Sequence, residues 1–598
     1  MRLDGQALSF SPTDLASFSG CGDRSYLDRL RAKGLAKPVV YPDPRLDLLK
    51  ARGMEHEKAY LARLEAEDKR VVRFESLSKD ERTPAAYARR AEETLAAMRD
   101  GPDVIYQGTL YDGRWLGFVD FLLRVERPSE LGAWSYEVAD AKLTREAKGT
   151  AILQTCVYSE MLEQVQGVAP DRIHLYLGGP SPRLTSFRLA HFAAYYRGLK
   201  RRFLEHVEGA PDEPTVAPDP VELCQMCDWS SRCKQERADV DHLSLVAGIA
   251  RDQRRVLEAA GVTTLAALGG LALDPPPEGL RRASFQRVRE QARVQLVGRE
   301  RDAPYHEVLS VEVNVDGRLL GLGSLPEPTP YDLFFDFEGA DYAYEGGLEY
   351  LWGISDVEDQ FRGDWALTQD EEKGELDRFL RMAVDHVTAH PGAHIYHYGH
   401  YETTALKRLV GRYGIRTEEL DQLLTEQVFV DLHRVVKQGV RASVESYSIK
   451  ALEEHYGFVR DVPMSDANPA RGRLEYALSA GLRDSESLAD RPVVEAYNRD
   501  DCVSTRALRD WLEVLRRDLE TQHGQPIARP TPPVPKEDPE LEEWRQSLKD
   551  LMDGLLDGVP EEREERNEAQ HVRWLTAHLL EWHRREDKTA WWDYHRLK

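Results

Sequence analysis

The chain has 598 residues, more than one hydrophobic core ordinarily organises, so three or four domains are expected. No apolar run approaches the roughly 20 residues that cross a bilayer, and residues 1–10 hold no apolar signal-peptide core, so a cytoplasmic protein with no membrane partner is expected. A formal charge of −24 argues against a general basic coat for nucleic acid, but leaves room for a local groove or a site built of carboxylates.

Residues 1–235 alternate helical and strand-like patterns. A helix over 53–65 carries His56. Residues 115–126 and 134–143 read as adjacent strands. The first places Asp120 after Gly117-Phe118-Val119. The second carries Asp140 and Lys142 two apart, so both point to one side. A helix over 147–166 follows, with Gln154 and Tyr158 four apart on one face, and then a strand over 172–179. Two carboxylates and an imidazole suit a divalent metal, which lowers the pKa of bound water and stabilises charge on a phosphate. A neighbouring lysine assists the water or neutralises the phosphate. Singly, these residues read as a strand-end acid, a helix histidine or a solvated lysine, and Gln154 and Tyr158 either orient the lysine, contact DNA or pack. The ordered set points to one site.

That order, His56, Asp120, Asp140-x-Lys142, Gln154-x3-Tyr158, resembles the RecB-type branch of the PD-(D/E)xK nucleases. The resemblance implies a restriction-endonuclease-like domain over 1–238. In it His56, Asp120 and Asp140 would hold metal, and Lys142, Gln154 and Tyr158 would join the catalytic set. Six cysteines in a cytoplasmic chain do not suggest disulfides, and Cys156 and Cys502, in apparent helices, read as small core residues. Cys21, Cys224, Cys227 and Cys233 form a pattern, three of them spaced x2 and x5. Thiolates suit zinc or an iron–sulfur cluster, and the long gap after Cys21 is unlike the local ligands of a zinc finger. The pattern resembles the iron–sulfur staple of AddB-type and CRISPR-adaptation nucleases, which implies a 4Fe-4S cluster tying the two ends of this domain together.

Residues 239–303 read as helices only, broken at Gly248 and Gly261. They loosely resemble a helix–hairpin–helix module, in which backbone N–H groups hold a DNA phosphate. Arg251, Arg254, Arg255, Arg281, Arg282, Arg287, Arg289 and Arg293 fit that role or a solvated basic face equally. Residues 304–329, rich in Pro and Gly, read as a linker.

A second α/β pattern runs over 330–522, with apolar strands at 331–337, 350–357, 394–398 and 428–436. Asp336 and Glu338 lie two apart near the end of the first strand. Burying them there is costly unless they bind metal. Glu402 opens a helix, Asp431 interrupts an apolar strand, and Tyr497 and Asp501 lie four apart on one helix face. Acids converging from separate elements can hold two divalent ions, Mg²⁺ or Mn²⁺, with Tyr497 orienting the attacking water. The pattern resembles the DnaQ-like 3′–5′ exonucleases of the ribonuclease H fold. Asp336 and Glu338 match the first motif, and Tyr497-x3-Asp501 matches the third in its tyrosine form. The second motif normally carries aspartate after an aromatic, whereas Tyr401-Glu402 stands here. That departure leaves the third metal ligand open between Glu402 and Asp431, the latter as helper or substitute. Asp500 competes with Asp501, and the four-residue spacing favours Asp501.

No Gly-Lys-Ser/Thr occurs, so no phosphate-cradling loop and no ATPase is expected. Residues 523–598 read as a Pro-rich linker and a helical C-terminal tail ending in Trp591-Trp592-Asp593-Tyr594, an aromatic end suited to docking. The order of parts resembles bacterial RecB-like nucleases that often continue into a superfamily 1 helicase, which implies a helicase or other ATPase partner. The whole reads as an α/β multidomain, metal-dependent DNA nuclease with two active centres. It would act on single-stranded DNA or ends, in DNA repair or defence against foreign DNA. Two alternatives are a nucleic-acid-binding adaptor with inactive nuclease folds and an RNA-processing nuclease, because a 2′-OH contact is not visible in sequence.

Overall fold

The computed structural model describes residues 1–4, 7–39, 44–78, 81–179, 182–209, 218–341, 343–344, 346–530, 539–580 and 582–597. The chain divides into two compact units, Met1–Arg289 and Glu290–Lys598.

The first unit runs β1 (Arg2–Asp4), β2 (Ala7–Ser9), α1 (Pro12–Gly20), α2 (Gly22–Ala32), α3 (Pro44–Ala66), β3 (Val71–Arg73), α4 (Pro84–Asp100), β4 (Val104–Tyr111), β5 (Leu116–Val125), β6 (Ser135–Lys142), α5 (Gly149–Gln166), β7 (Arg172–Leu177), β8 (Arg183–Arg188), α6 (Ala193–Gly209), α7 (Ser230–Asp239), α8 (Arg251–Ala259), α9 (Leu265–Gly269) and the start of α10 (Arg282–Arg301). Strands β3 to β8 lie side by side in chain order. The β3–β4 and β6–β7 pairs are parallel and the others antiparallel. Val119, Leu122, Val138 and Ile173 of the sheet pack on Ile152, Val157 and Leu162 of α5 and Phe203 of α6. Tyr60, Leu61 and Leu64 of α3 pack on Phe121, Ala139 and Tyr176. Helices thus cover the central strands from two directions, and β5 and β6 accordingly read as nearly continuous apolar runs in which each acid stands out. Each large side chain so buried stabilises the fold by about 1.5–3 kcal/mol.

The second unit holds the rest of α10, then β9 (His306–Val308), β10 (Leu333–Ala340), β11 (Leu348–Ser355), β12 (Phe361–Trp365), α11 (Gln369–Ala389), β13 (Ile395–His397), α12 (Tyr401–Tyr413), α13 (Thr417–Thr425), β14 (Phe429–Asp431), α14 (Leu432–Gly439), β15 (Val440–Ala442), α15 (Ile449–Tyr456), α16 (Met464–Ser479), α17 (Arg491–His523), α18 (Pro539–Leu556), α19 (Glu568–Leu579) and α20 (Trp582–Leu597). Its sheet has the order β12-β11-β10-β13-β14, with β10 at the centre. The first three strands are antiparallel, and β13 and β14 add in parallel. Phe335 and Phe337 pack on Phe379 of α11 and Leu406 of α12, whereas Phe334 packs with Leu508 and Leu512 of α17. Strand alternation therefore turns the even-numbered residues of β10, Asp336 and Glu338 among them, toward α17.

Two expectations need correction. The segment 304–329 is not a linker: β9 pairs with β15, and Leu322 and Leu325 are fully buried in the same core as Leu508. Its prolines and glycines shape turns on the unit instead of freeing the chain from it. The expected domain boundary at 303/304 is displaced, because the division falls within α10, whose Gln291 side chain donates to the Ala442 carbonyl at 2.9 Å. The aromatic end is packed in part on its own unit. Trp592 packs against α12 and α13 in the second unit's core and donates to Asp421 at 2.9 Å, while Lys588 pairs with Glu418 at 2.7 Å. Trp591 remains exposed, and the side chain of Tyr594 lies outside the described residues, as do residues 531–538 of the Pro-rich stretch.

Candidate active centres

In the second unit α17 lays Tyr497, Asn498 and Asp501 against β10 and β11. One carboxylate oxygen from each of Asp336, Glu338 and Asp501 lies within 4.8 Å of the others, the one such group of metal-ligating side chains among the described residues. Glycine makes the approach feasible: a Cβ on Gly353 of β11 would fall 1.7 Å from Asn498 Oδ1. The Asn498 amide in turn donates to Asp336 Oδ2 at 2.8 Å. Burial, then the charges of Asp501, Glu338 and Glu402, hold the Asp336 carboxyl well above the usual carboxylate range. Burial pushes Glu338 up to about 7, opposed by the Arg471 guanidinium and reinforced by Asp501. Carboxylates crowded in this way repel one another until a cation joins them.

Three basic residues supply part of that charge. Lys450 Nζ lies 3.2 Å from Asp501 Oδ1, Arg460 Nη2 2.7 Å from the same oxygen, and Arg471 Nε 2.8 Å from Glu338 Oε2. All three sit over the Tyr497 ring, 5.1, 5.5 and 5.4 Å from its centroid. Sequence reasoning missed them. They arrive from α15, the loop after it and α16, with no spacing that ties them to the acids.

Glu402 is buried in the first turn of α12, with Oε2 3.3 Å from His397 Nδ1. Its charge reaches Asp336, yet it stands outside the group of three. Asp431 stands outside the group of three. Its Oδ1 accepts the backbone N–H groups of Gly399 and His433 at 2.9 Å and of Arg434 at 3.4 Å, capping α14. The acid in this apolar strand thus caps a helix N-terminus. Asp500 accepts the Val462 N–H at 2.9 Å, and Asp501 is the member of the group.

In the first unit β5 and β6 bring Asp120 and Asp140 together. Extending their register one step from the pair Phe121↔Ala139 sets the two acids opposite each other. There Asp120 Oδ2 accepts the Ala141 N–H at 2.9 Å. Lys142 Nζ lies 2.6 Å from Asp140 Oδ2. Burial, then Asp140 and Glu57, raise the Asp120 carboxyl well above its usual range. Burial would lower the Lys142 ammonium, but Asp140, Asp120 and Glu57 more than offset it and its pKa rises.

His56 is held by the next strand, β7. Its Nε2 bonds the Tyr176 carbonyl at 3.0 Å and its ring stacks on Tyr176, 4.8 Å away. The charge of the neighbouring Glu57 reaches Asp120. Gln107 donates to Glu57 Oε1 at 2.5 Å and to Asp120 Oδ1 at 3.4 Å, from a backbone φ of 58° that a non-glycine residue rarely adopts. Tyr158 donates to the Phe118 carbonyl at 2.8 Å, its ring seated where a Cβ on Gly117 would stand. Gln154 donates to Thr13 at 3.2 Å and packs α5 on α1. Neither side chain bonds the acids or Lys142.

The four cysteines of the pattern form no disulfide, and α2 meets the 224–233 segment through Tyr26, Leu27, Leu30, Trp229 and Cys233. Trp229 Nε1 donates to Asp28 at 3.0 Å across that joint. Burial raises the Cys21 thiol, with Asp23, Cys224 and Cys227 adding, and burial pushes Cys233 up to about 12. Of the arginines in 239–303, Arg254 is buried on Asp219 at 2.9 Å, Arg289 donates to the Leu271 carbonyl at 2.8 Å and Arg293 pairs with Glu290 at 2.8 Å. These three hold the fold together.

A comparison with curated proteins finds no match to this chain. Residues 333–513, from β10 into α17, match a family described as the RNase_H superfamily. That stretch spans the strand, helix and three acids of the second centre, and the match supports a ribonuclease H-like domain there.

Proposed function

We propose that the chain is a metal-dependent DNA nuclease with two active centres, acting on single-stranded DNA or ends. The observation that carries the reading is the convergence of Asp336, Glu338 and Asp501 within 4.8 Å inside the ribonuclease H-like segment. Hard oxygen donors and mutual repulsion suit Mg²⁺ or Mn²⁺. When bound, such ions supply an activated water and stabilise charge on the phosphate. Asp336, Glu338 and Asp501 would hold them, with Glu402 behind Asp336. Burial and the nearby Asp501 raise the Tyr497 phenol, so it stays protonated and can donate to the attacking water. The 3′–5′ exonuclease polarity of the DnaQ-like class belongs to this reading.

The first centre is read as a RecB-like, restriction-endonuclease-like site. The paired Asp120 and Asp140 and the salt-bridged Lys142 support it, with the charge of Glu57 reaching Asp120. Cys21, Cys224, Cys227 and Cys233 would bind a 4Fe-4S cluster. The long separation of Cys21 from the other three is unlike the local ligands of a zinc finger. A helicase or other ATPase partner, and a role in repair or defence against foreign DNA, rest on the order of the parts.

The test offers labelled single- and double-stranded DNA and RNA with Mn²⁺. Asp336→Ala and Asp140→Ala should each remove part of the cutting, and together all of it, with folding kept. Cutting by the double variant at the wild-type rate ends the nuclease reading, and cutting of RNA alone replaces DNA as substrate. Anaerobically purified protein should contain iron that Cys227→Ser loses. Stoichiometric zinc without iron refutes the cluster.

A further inference from the structure

The acids of the second centre are held before any ion arrives by cations of two kinds. Arg460 is fixed: its guanidinium also binds both oxygens of Glu453, at 3.0 and 2.5 Å, and its side chain is 8% exposed. Arg471 is pinned between Glu338 and Glu475, at 2.8 and 3.8 Å. Lys450 differs. It stands in the first turn of α15 on a flexible four-carbon stem, 34% of its side chain is exposed, and it reaches both Asp501 oxygens, at 3.2 and 3.3 Å. It lies over Tyr497, 5.1 Å from the ring centroid, the residue proposed above to orient the attacking water. A compact ammonium on a rotatable stem can leave a carboxylate that a divalent ion takes over, whereas a doubly anchored guanidinium cannot.

We propose that Lys450 is a substrate-contacting residue of the second centre: it neutralises Asp501 in the metal-free protein and turns to the scissile phosphate of the nucleic acid once a divalent ion claims that carboxylate. The inference rests on the metal-dependent nuclease reading of this centre and adds to it a resident competitor for metal and a cation for substrate charge. Two opposite consequences follow. Without Lys450 the ion binds more tightly, because no ammonium has to be displaced. Without Lys450 the reaction slows, because developing phosphate charge loses a partner.

The experiment uses the full chain with Asp140→Ala, which silences the first centre, comparing Lys450 with Lys450→Met and Lys450→Arg. Mn²⁺ binding is measured by calorimetry without nucleic acid, and kcat and KM on single-stranded DNA at saturating Mn²⁺. Lys450→Met should bind Mn²⁺ roughly tenfold more tightly, a difference of about 1.4 kcal/mol. Its kcat should fall about 100-fold, and Lys450→Arg should recover part of that loss. A Lys450→Met chain that binds Mn²⁺ more weakly, or that keeps the parental kcat, overturns the proposal while the nuclease reading stands. A parental chain that neither binds Mn²⁺ nor cuts overturns both. Equal thermal midpoints for Lys450→Met, Lys450→Arg and the parent separate these outcomes from misfolding.

Discussion

At Gly353 the absence of a side chain is a structural requirement, since Asn498 Oδ1 fills the space a Cβ would take, 1.7 Å away. The neighbours have little freedom to yield: Gly353 lies on β11 between two strands, and Asn498 is fully buried on α17. Overpacking of this kind typically costs 1–3 kcal/mol, so Gly353→Ala should lower unfolding stability by about 3 kcal/mol in urea. It should also weaken Mn²⁺ binding, because Asn498 then releases Asp336; unchanged binding would show that Asn498 does not position that acid. A second residue couples the same unit to pH. The His455 ring, beside His306 and Trp511, has its pKa lowered from 6.5 to about 4, by burial first and then by the charge of His306. The unfolded chain therefore binds the proton between those values and the fold does not. Stability is complete above about pH 6.5 and is lost as pH falls toward 4. Thermal melting from pH 7.5 to 4.5 should show a drop that shrinks in His455→Gln. Parallel curves would remove His455 from the acid sensitivity.

At the level of elements, the legible parts of both centres were those whose residues share a strand, a hairpin or a helix. Asp336 and Glu338 on β10, Tyr497 and Asp501 on α17, and Asp120 opposite Asp140 across β5 and β6 all follow from periods of two and four. The residues that escaped come from elements whose arrival only tertiary structure specifies. Glu57 is one helical position from the expected His56, a rotation of about 100° that sequence leaves open. Gln107 matters because its backbone is left-handed, and Lys450, Arg460 and Arg471 look like solvated charges until three elements fold over Tyr497. The segment 304–329 misled in the opposite way, since its turn-forming composition hid Leu322 and Leu325, which are fully buried. Composition likewise gave no partner for α20, which Trp592 anchors to α12 and α13. Truncating a buried tryptophan removes about 3–5 kcal/mol of packing. Here that loss should fall on the docking of one terminal helix, so Trp592→Ala should speed proteolysis within 582–597 roughly tenfold while the main unfolding midpoint stays put. A falling midpoint would make α20 an integral part of the domain.

For the whole molecule, the division at Arg289 and Glu290 separates two hydrophobic cores with different cofactors proposed for each. In the first unit the joint between α2 and the 224–233 segment is small, and a cluster bound by Cys21, Cys224, Cys227 and Cys233 would add binding free energy to it directly. In the second, charge repulsion among Asp336, Glu338 and Asp501 is relieved only in part by Lys450, Arg460 and Arg471, so divalent ions should stabilise that unit by mass action. Two cores with separate ligands need not melt together. Calorimetry of the Asp140→Ala chain should therefore resolve two transitions. Cys227→Ser should lower one of them and leave the other in place. Saturating Mn²⁺, at about 100 times its dissociation constant, should raise the other by the equivalent of about 2.7 kcal/mol, and Asp336→Ala should abolish that rise. A single transition shifted by both treatments would mean that the two units fold as one, and the cluster would then support the ribonuclease H-like centre as much as its own.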